Sequence, residues 1–225
     1  MKARRMGTCA AMGLIVLLGT MTAFSQDKPA PGSKDKPTTG SKDTPPGGAP
    51  AQPDEAEMAK AMEAYMKLAA PGEQHKLLDP FIGKWKTATK IFMGGPGSPA
   101  MESVGTCENK WVLGGRFVYT EQKGTMMGQP FEGMGLTGFD KPRNMFVSMW
   151  ADNQGTHLLT MKGMADPSGK TFTYYGEMDE ASMNVYGRMV KYVTRVIDKD
   201  KHVFEITDLH AGDNYKVVEI TYTRQ

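Results

Sequence analysis

Apolar residues recur along this chain with two different periods. Between residues 54 and 69 the period is helical: Met58, Met62, Tyr65, Met66 and Ala69 fall at i, i+4, i+7, i+8 and i+11, one stripe of an α-helix. Asp54 is placed to cap that helix, with Glu55 and Glu57 in the first turn where the helix dipole favours acids. Pro71-Gly72 stops it. A second short helical piece, about 73–80, leads into "FIGKW".

From Trp85 onward the period becomes two, the signature of strands with one buried face. Ten runs follow: 85–93, 101–112, 116–124, 131–139, 145–151, 156–164, 170–178, 185–197, 202–209 and 215–224. Turn chemistry separates them, as in "GGPGSP", "DKPRN", "DPSG", "DKDK" and "AGDN". No long helix intervenes, which excludes parallel βαβ units. Ten strands in one open sheet would expose two edges, and closing the sheet removes both. The expectation is an all-β protein: an antiparallel up-and-down barrel of about ten strands behind a short N-terminal helical segment. A barrel of that size is wide enough to hold one small ligand.

The first 53 residues follow neither pattern. Lys2, Arg4 and Arg5 precede the apolar run "MGLIVLLGTMTAF", and Ala23-Phe24-Ser25 offers a small-residue cleavage site. Residues 1–25 read as a secretory signal peptide cut near Ser25, which predicts a periplasmic or secreted protein with no stable membrane span in its mature form. Residues 26–53 are rich in Pro, Gly, Ser, Thr and Lys and hold no Leu, Ile, Val or aromatic residue. Such a segment cannot recover its ordering entropy by burial and is expected to be a disordered linker. The folded domain is then 54–225.

Export changes the charge and the cysteine count. The chain carries 27 Lys and Arg against 25 Asp and Glu. Three of the basic residues lie in the signal, so the mature protein is nearly neutral and has no basic excess to attract a nucleic acid. Cys9 leaves with the signal, and Cys107 remains alone, with no intrachain disulfide open to it. It reads as a small buried hydrophobe.

The ordered motifs "PGEQHKLL" (71–78), "GKW" (83–85), "WVLGGRF" (111–117), "GLTGFD" (135–140), "SMWADNQGT" (148–156) and "ITYTR" (220–224) resemble the bacterial domain-of-unknown-function family 1579. The likeness runs over about residues 56–225. The helix followed by Gly83-Lys84-Trp85 also resembles the lipocalin and fatty-acid-binding-protein (calycin-type) barrels. There the Trp plugs one end and a late basic side chain packs over it. That likeness implies a barrel closure made by Gly83, Trp85 and Arg224, in which a guanidinium on an indole adds cation–π attraction.

Five residues are candidate ligand contacts: Trp111, Arg116, Trp150, Tyr186 and Arg188. An interior Arg116 would hold a carboxylate through two parallel hydrogen bonds. Tyr186, Arg188 and Tyr192 share parity, and on an inward face they would suit an anionic amphiphile. The opposite face, with Val185, Met189 and Val193, is at least as apolar, and periodicity does not choose between them. Among the 19 methionines, Met145, Met149, Met161 and Met189 are candidates for the interior.

No Ser-His-Asp set, phosphate loop or paired-carboxylate site is present, so no catalytic residue and no cofactor is assigned. His75, His157, His202 and His210 lack the spacing of a metal site. The reading that follows is an exported barrel for a small hydrophobic or amphipathic molecule. Its alternatives are a haem- or nitric-oxide-handling barrel built on one inward His, and a non-catalytic interaction module presenting the 54–70 helix.

Overall fold

A computed structural model describes residues 54–180 and 184–225. The expected signal peptide and linker lie outside the described residues. The first element is helix α1 (Glu55–Ala69). Its cap is the one the sequence suggests: Asp54 Oδ1 accepts from Glu57 N at 2.8 Å. Taken by itself, α1 contains no buried residue. Among the described residues, the compact unit that carries the barrel runs from Leu68 onward.

That unit opens with helix α2 (Glu73–Lys76) and a 3₁₀ turn (Asp79–Phe81). Then come β1 (Gly83–Ile91), β2 (Met101–Val112), β3 (Phe117–Met126), β4 (Gln129–Asp140) and β5 (Met145–Asp152). The remainder are β6 (Leu159–Ala165), β7 (Thr171–Glu180), β8 (Val185–Asp198), β9 (Lys201–Asp208) and β10 (Lys216–Arg224). Each strand pairs antiparallel with its sequence neighbour, and β1 pairs with β10 from Trp85↔Arg224 to Ile91↔Val218. The sheet is therefore a closed barrel of ten strands. Closure leaves no edge strand, since every strand has a paired neighbour on both sides, which is why a meander of this kind is stable without a second sheet.

The two ends of the barrel differ. At one end the 3₁₀ turn and α2 put Leu78, Phe81 and Ile82 against an aromatic core of Phe146, Phe172 and Tyr174. At the other end lie the turns after β1, β3, β5 and β9. No described helix is long and apolar enough to cross a membrane.

Candidate functional site

The closed end is built around Trp85, which is 1% exposed. Its Nε1 donates to Phe81 O at 2.8 Å, so the indole has no polar atom left unpaired. The Arg224 guanidinium lies over the ring, with Cζ 4.1 Å from the centroid. Its donors go to Ile82 O (2.8 Å), Pro80 O (3.1 Å) and Lys199 O (2.9 Å), three carbonyls at the barrel end. Gly83 opens β1 at φ +124°, and a Cβ there would sit 2.7 Å from Arg224 Nη1. The close seat of the guanidinium therefore depends on the missing side chain.

Above this floor the barrel encloses a cavity of about 830 Å³. Loop and strand-end residues from the opposite end line it too, among them Met93, Met127, Thr156 and His157, so the cavity reaches the mouth. Its volume is in the range of small-molecule sites.

The two walls of the cavity are chemically unlike. On β1, β2 and β3 four buried inward positions are polar but uncharged, Thr87, Thr89, Asn109 and Gln122, set among Ile91, Cys107 and Val118. Tyr222 on β10 reaches across to Gln122 Oε1 at 3.4 Å. On β5 to β8 most inward positions are large, Trp150, Met161, Phe172, Tyr174 and Tyr192, with Ser148 and Thr194 between them. Cys107 is buried at the floor with its thiol against Asn109 Oδ1, and burial pushes that thiol up to about 12. It stays a thiol at any ordinary pH, and so a poor nucleophile.

His202 forms part of the floor. Its ring stacks on Tyr222 (centroids 4.3 Å apart) and meets the edges of Trp85 and Phe81 at 4.4 and 5.1 Å. Burial, with a smaller contribution from the Arg224 charge, lowers its pKa to about 3. The imidazole is neutral in this setting.

The candidate contacts separate on this geometry. Trp150 lines the cavity near the mouth, with Nε1 donating to Asp152 Oδ2 at 2.8 Å, and Tyr186 touches only its outer rim, 63% exposed. Trp111 packs against the core and donates to Asp79 Oδ1 at 3.0 Å, outside the cavity lining. Arg116 is an exposed loop clamp: Nε donates to Ala69 O at 2.9 Å and Nη1 to Leu113 O at 3.1 Å. Its place just after the Gly114-Gly115 turn keeps it out of the barrel. Arg188 shares parity with Tyr186 and Tyr192, yet its guanidinium turns to the fully buried Asp208 at 2.8 Å. The expected interior anion clamp is thus not assembled among the described residues. Of the four methionines expected inside, Met161 lines the cavity. Met189 is 45% exposed, and Met145 and Met149 alternate with Phe146, Ser148 and Trp150 on the opposite face of β5.

Thr87, Gln122, Tyr222 and the floor position of His202 escaped the sequence reading. One signal was available: Thr87 and Thr89 share the parity of Trp85, so an inward Trp85 carries both of them inward.

Fold and site together define a class, a ten-stranded up-and-down barrel plugged at one end around a large cavity. A family profile described as "Protein of unknown function (DUF1579)" matches residues 70–224, and the chain belongs to that family. No curated protein matches it. Among solved structures, a redesigned β-barrel is 13% identical, with 68% of this chain and 95% of that chain covered at a TM-score of 0.35. A de novo designed fluorescence-activating β-barrel is 14% identical, with 65% and 95% covered at a TM-score of 0.37. At these TM-scores the architecture rests on the strand pairing itself.

Proposed function

We propose that this protein is an exported barrel, periplasmic or secreted, that binds a small hydrophobic or amphipathic molecule in its interior. The observation that carries the reading is the cavity of about 830 Å³, plugged at the Trp85 end and continued to the mouth at the other. Aromatic walls supply apolar burial, and a few fixed polar groups supply orientation, the usual composition of a small-molecule site. Support for export comes from the basic start, short apolar run and small-residue site of residues 1–25.

Native mass spectrometry of the protein recovered from its own exported fraction, with an absorption spectrum of the same sample, tests both parts. The expected result is a chain beginning near Gln26 that carries a lipid-sized or smaller organic mass without visible absorption. A bound haem with a Soret band would transfer the site to haem chemistry. Protein retained in the cytoplasm with its first residues intact would overturn the export reading.

A further inference from the structure

We infer that the cavity selects an uncharged ligand, an apolar or aromatic body bearing hydroxyl, carbonyl or amide groups, and discriminates against carboxylates and phosphates. The inference rests on the reading of the barrel as a small-molecule binder and specifies the chemistry of that site.

The argument begins with charge. An anionic group taken out of water needs a cation or several convergent donors to replace its hydration. Among the described lining residues the only Lys or Arg is Lys123, and it is committed to Glu121 at 2.9 Å. Asp152 and Asp179 also line the cavity and would repel an anion. The arginines named as candidates or in the closure lie outside the lining: Arg116 holds loop carbonyls, Arg224 the carbonyls of the barrel end, and Arg188 pairs through Nη1 with Asp208, its buried Nε unpaired among the described residues but off the cavity. A cationic ligand fares no better in the interior, since neither aspartate belongs to the buried polar wall.

The second part is the set of neutral polar groups that do face the cavity. Tyr192 and His202 are 2% and 4% exposed, and both line the cavity. The Tyr192 hydroxyl and His202 Nδ1 have no hydrogen-bond partner among the described residues. Buried polar atoms of folded proteins are nearly always paired, so two left open on one cavity mark where a polar partner belongs. The register sets their spacing. Tyr192 faces Ile206 and His202 faces Val196, which is four residues from Tyr192 along β8. The two levels are therefore about 13 Å apart along the strand. Phe204 stacks on Tyr192 at 6.1 Å between those levels, and Gln122 and Thr87 stand on the polar wall. The site thus offers neutral contacts at two depths along an aromatic slot, which suits an elongated or flat molecule with separated uncharged polar groups.

The test uses matched probes and the whole mature protein. Isothermal titration at pH 7.5 compares 1-dodecanol with dodecanoate, and 2-naphthol with 2-naphthoate. The neutral member of each pair is expected to bind at least about ten-fold more tightly. Tyr192→Phe removes a hydroxyl that the fold itself leaves unpaired. This variant should melt no lower than the parent and should bind the neutral probes about three- to ten-fold more weakly, one hydrogen bond's worth. Gln122→Leu, on the opposite wall, should weaken them similarly. Carboxylates that bind as tightly as their neutral partners would overturn the inference and leave the carrier reading standing. So would unchanged neutral binding in both variants. Failure of every probe to bind would remove both.

Discussion

Arg224 concentrates more of the closed end on one side chain than any other residue near it. It donates to three carbonyls from two different segments and covers the face of Trp85. Removing it leaves those acceptors without a partner and uncovers an indole, each loss worth about 1 kcal/mol or more. Arg224→Ala should therefore destabilise the protein by about 2–4 kcal/mol in urea unfolding. Arg224→Lys should recover little of this, because one ammonium on a flexible stem cannot reproduce a planar fork aimed at three oxygens. A Lys variant as stable as the parent would show that the charge matters there and the geometry does not. "ITYTR" displays the residue type in the sequence. The carbonyls it serves, at positions 80, 82 and 199, are far away in the chain and became visible only in the fold.

For the strands, alternation announces an element but not its inward face. In β3, Phe117 and Tyr119 have one parity and Val118, Thr120 and Gln122 the other. A rule that places the most apolar face inside chooses the first set. The barrel places the second set inward, with Gln122 buried on the cavity and Val118 at 3% exposure. The choice follows from the neighbours: Gln122 faces Cys107, which faces Trp85, so the plug at the start of β1 sets the parity of three strands at once. Strand existence is a local property of alternation and turns, and it was legible. Parity is a property of the closed sheet, so the candidate site was legible only in part.

Close packing between strands leads to a prediction of the same scale. Gly163 on β6 lies where an added Cβ would be 1.9 Å from the backbone oxygen of Thr173 on β7. Backbone cannot swing aside as a side chain can. Gly163→Ala should force β6 and β7 apart and cost at least about 2 kcal/mol, within the range of severe steric substitutions. Amide hydrogen exchange should show the loss of protection centred on Met161 to Ala165 and Thr173 to Gly176. Protection lost evenly around the barrel would contradict a local origin.

The whole molecule has a pH dependence that follows from its buried histidines. His202 stays neutral in the fold down to about pH 3, well below its ordinary 6.5, and His75 is shifted in the same direction by burial and by the Lys141 charge. The unfolded chain takes up these protons first as pH falls. Their contribution to stability is full above pH 6.5 and is lost progressively below it, down to about pH 3 for His202. His202 alone should remove about 2 kcal/mol between pH 6.5 and 5, at roughly 1.4 kcal/mol per unit. The carboxylates held low by their partners, Asp140, Asp166 and Glu205, contribute in the same sense only nearer pH 4 and below. Urea titrations at pH 6.5 and 5 should show this loss, and His202→Phe should reduce it sharply. An equal loss in the variant would place the acid sensitivity elsewhere.

By itself the sequence determined the helix cap at Asp54, the ten strands and their antiparallel order, because caps, turns and alternation act over a few residues. It also displayed Trp85 at the start of the first strand. Only the tertiary structure decided which parity of each strand turns inward, that Arg116 and Arg188 are spent on the protein's own groups, and that His202, Gln122 and Tyr192 meet around one cavity. Those outcomes depend on the closure of β1 onto β10, which links residues more than a hundred positions apart. No window of neighbouring residues contains that constraint.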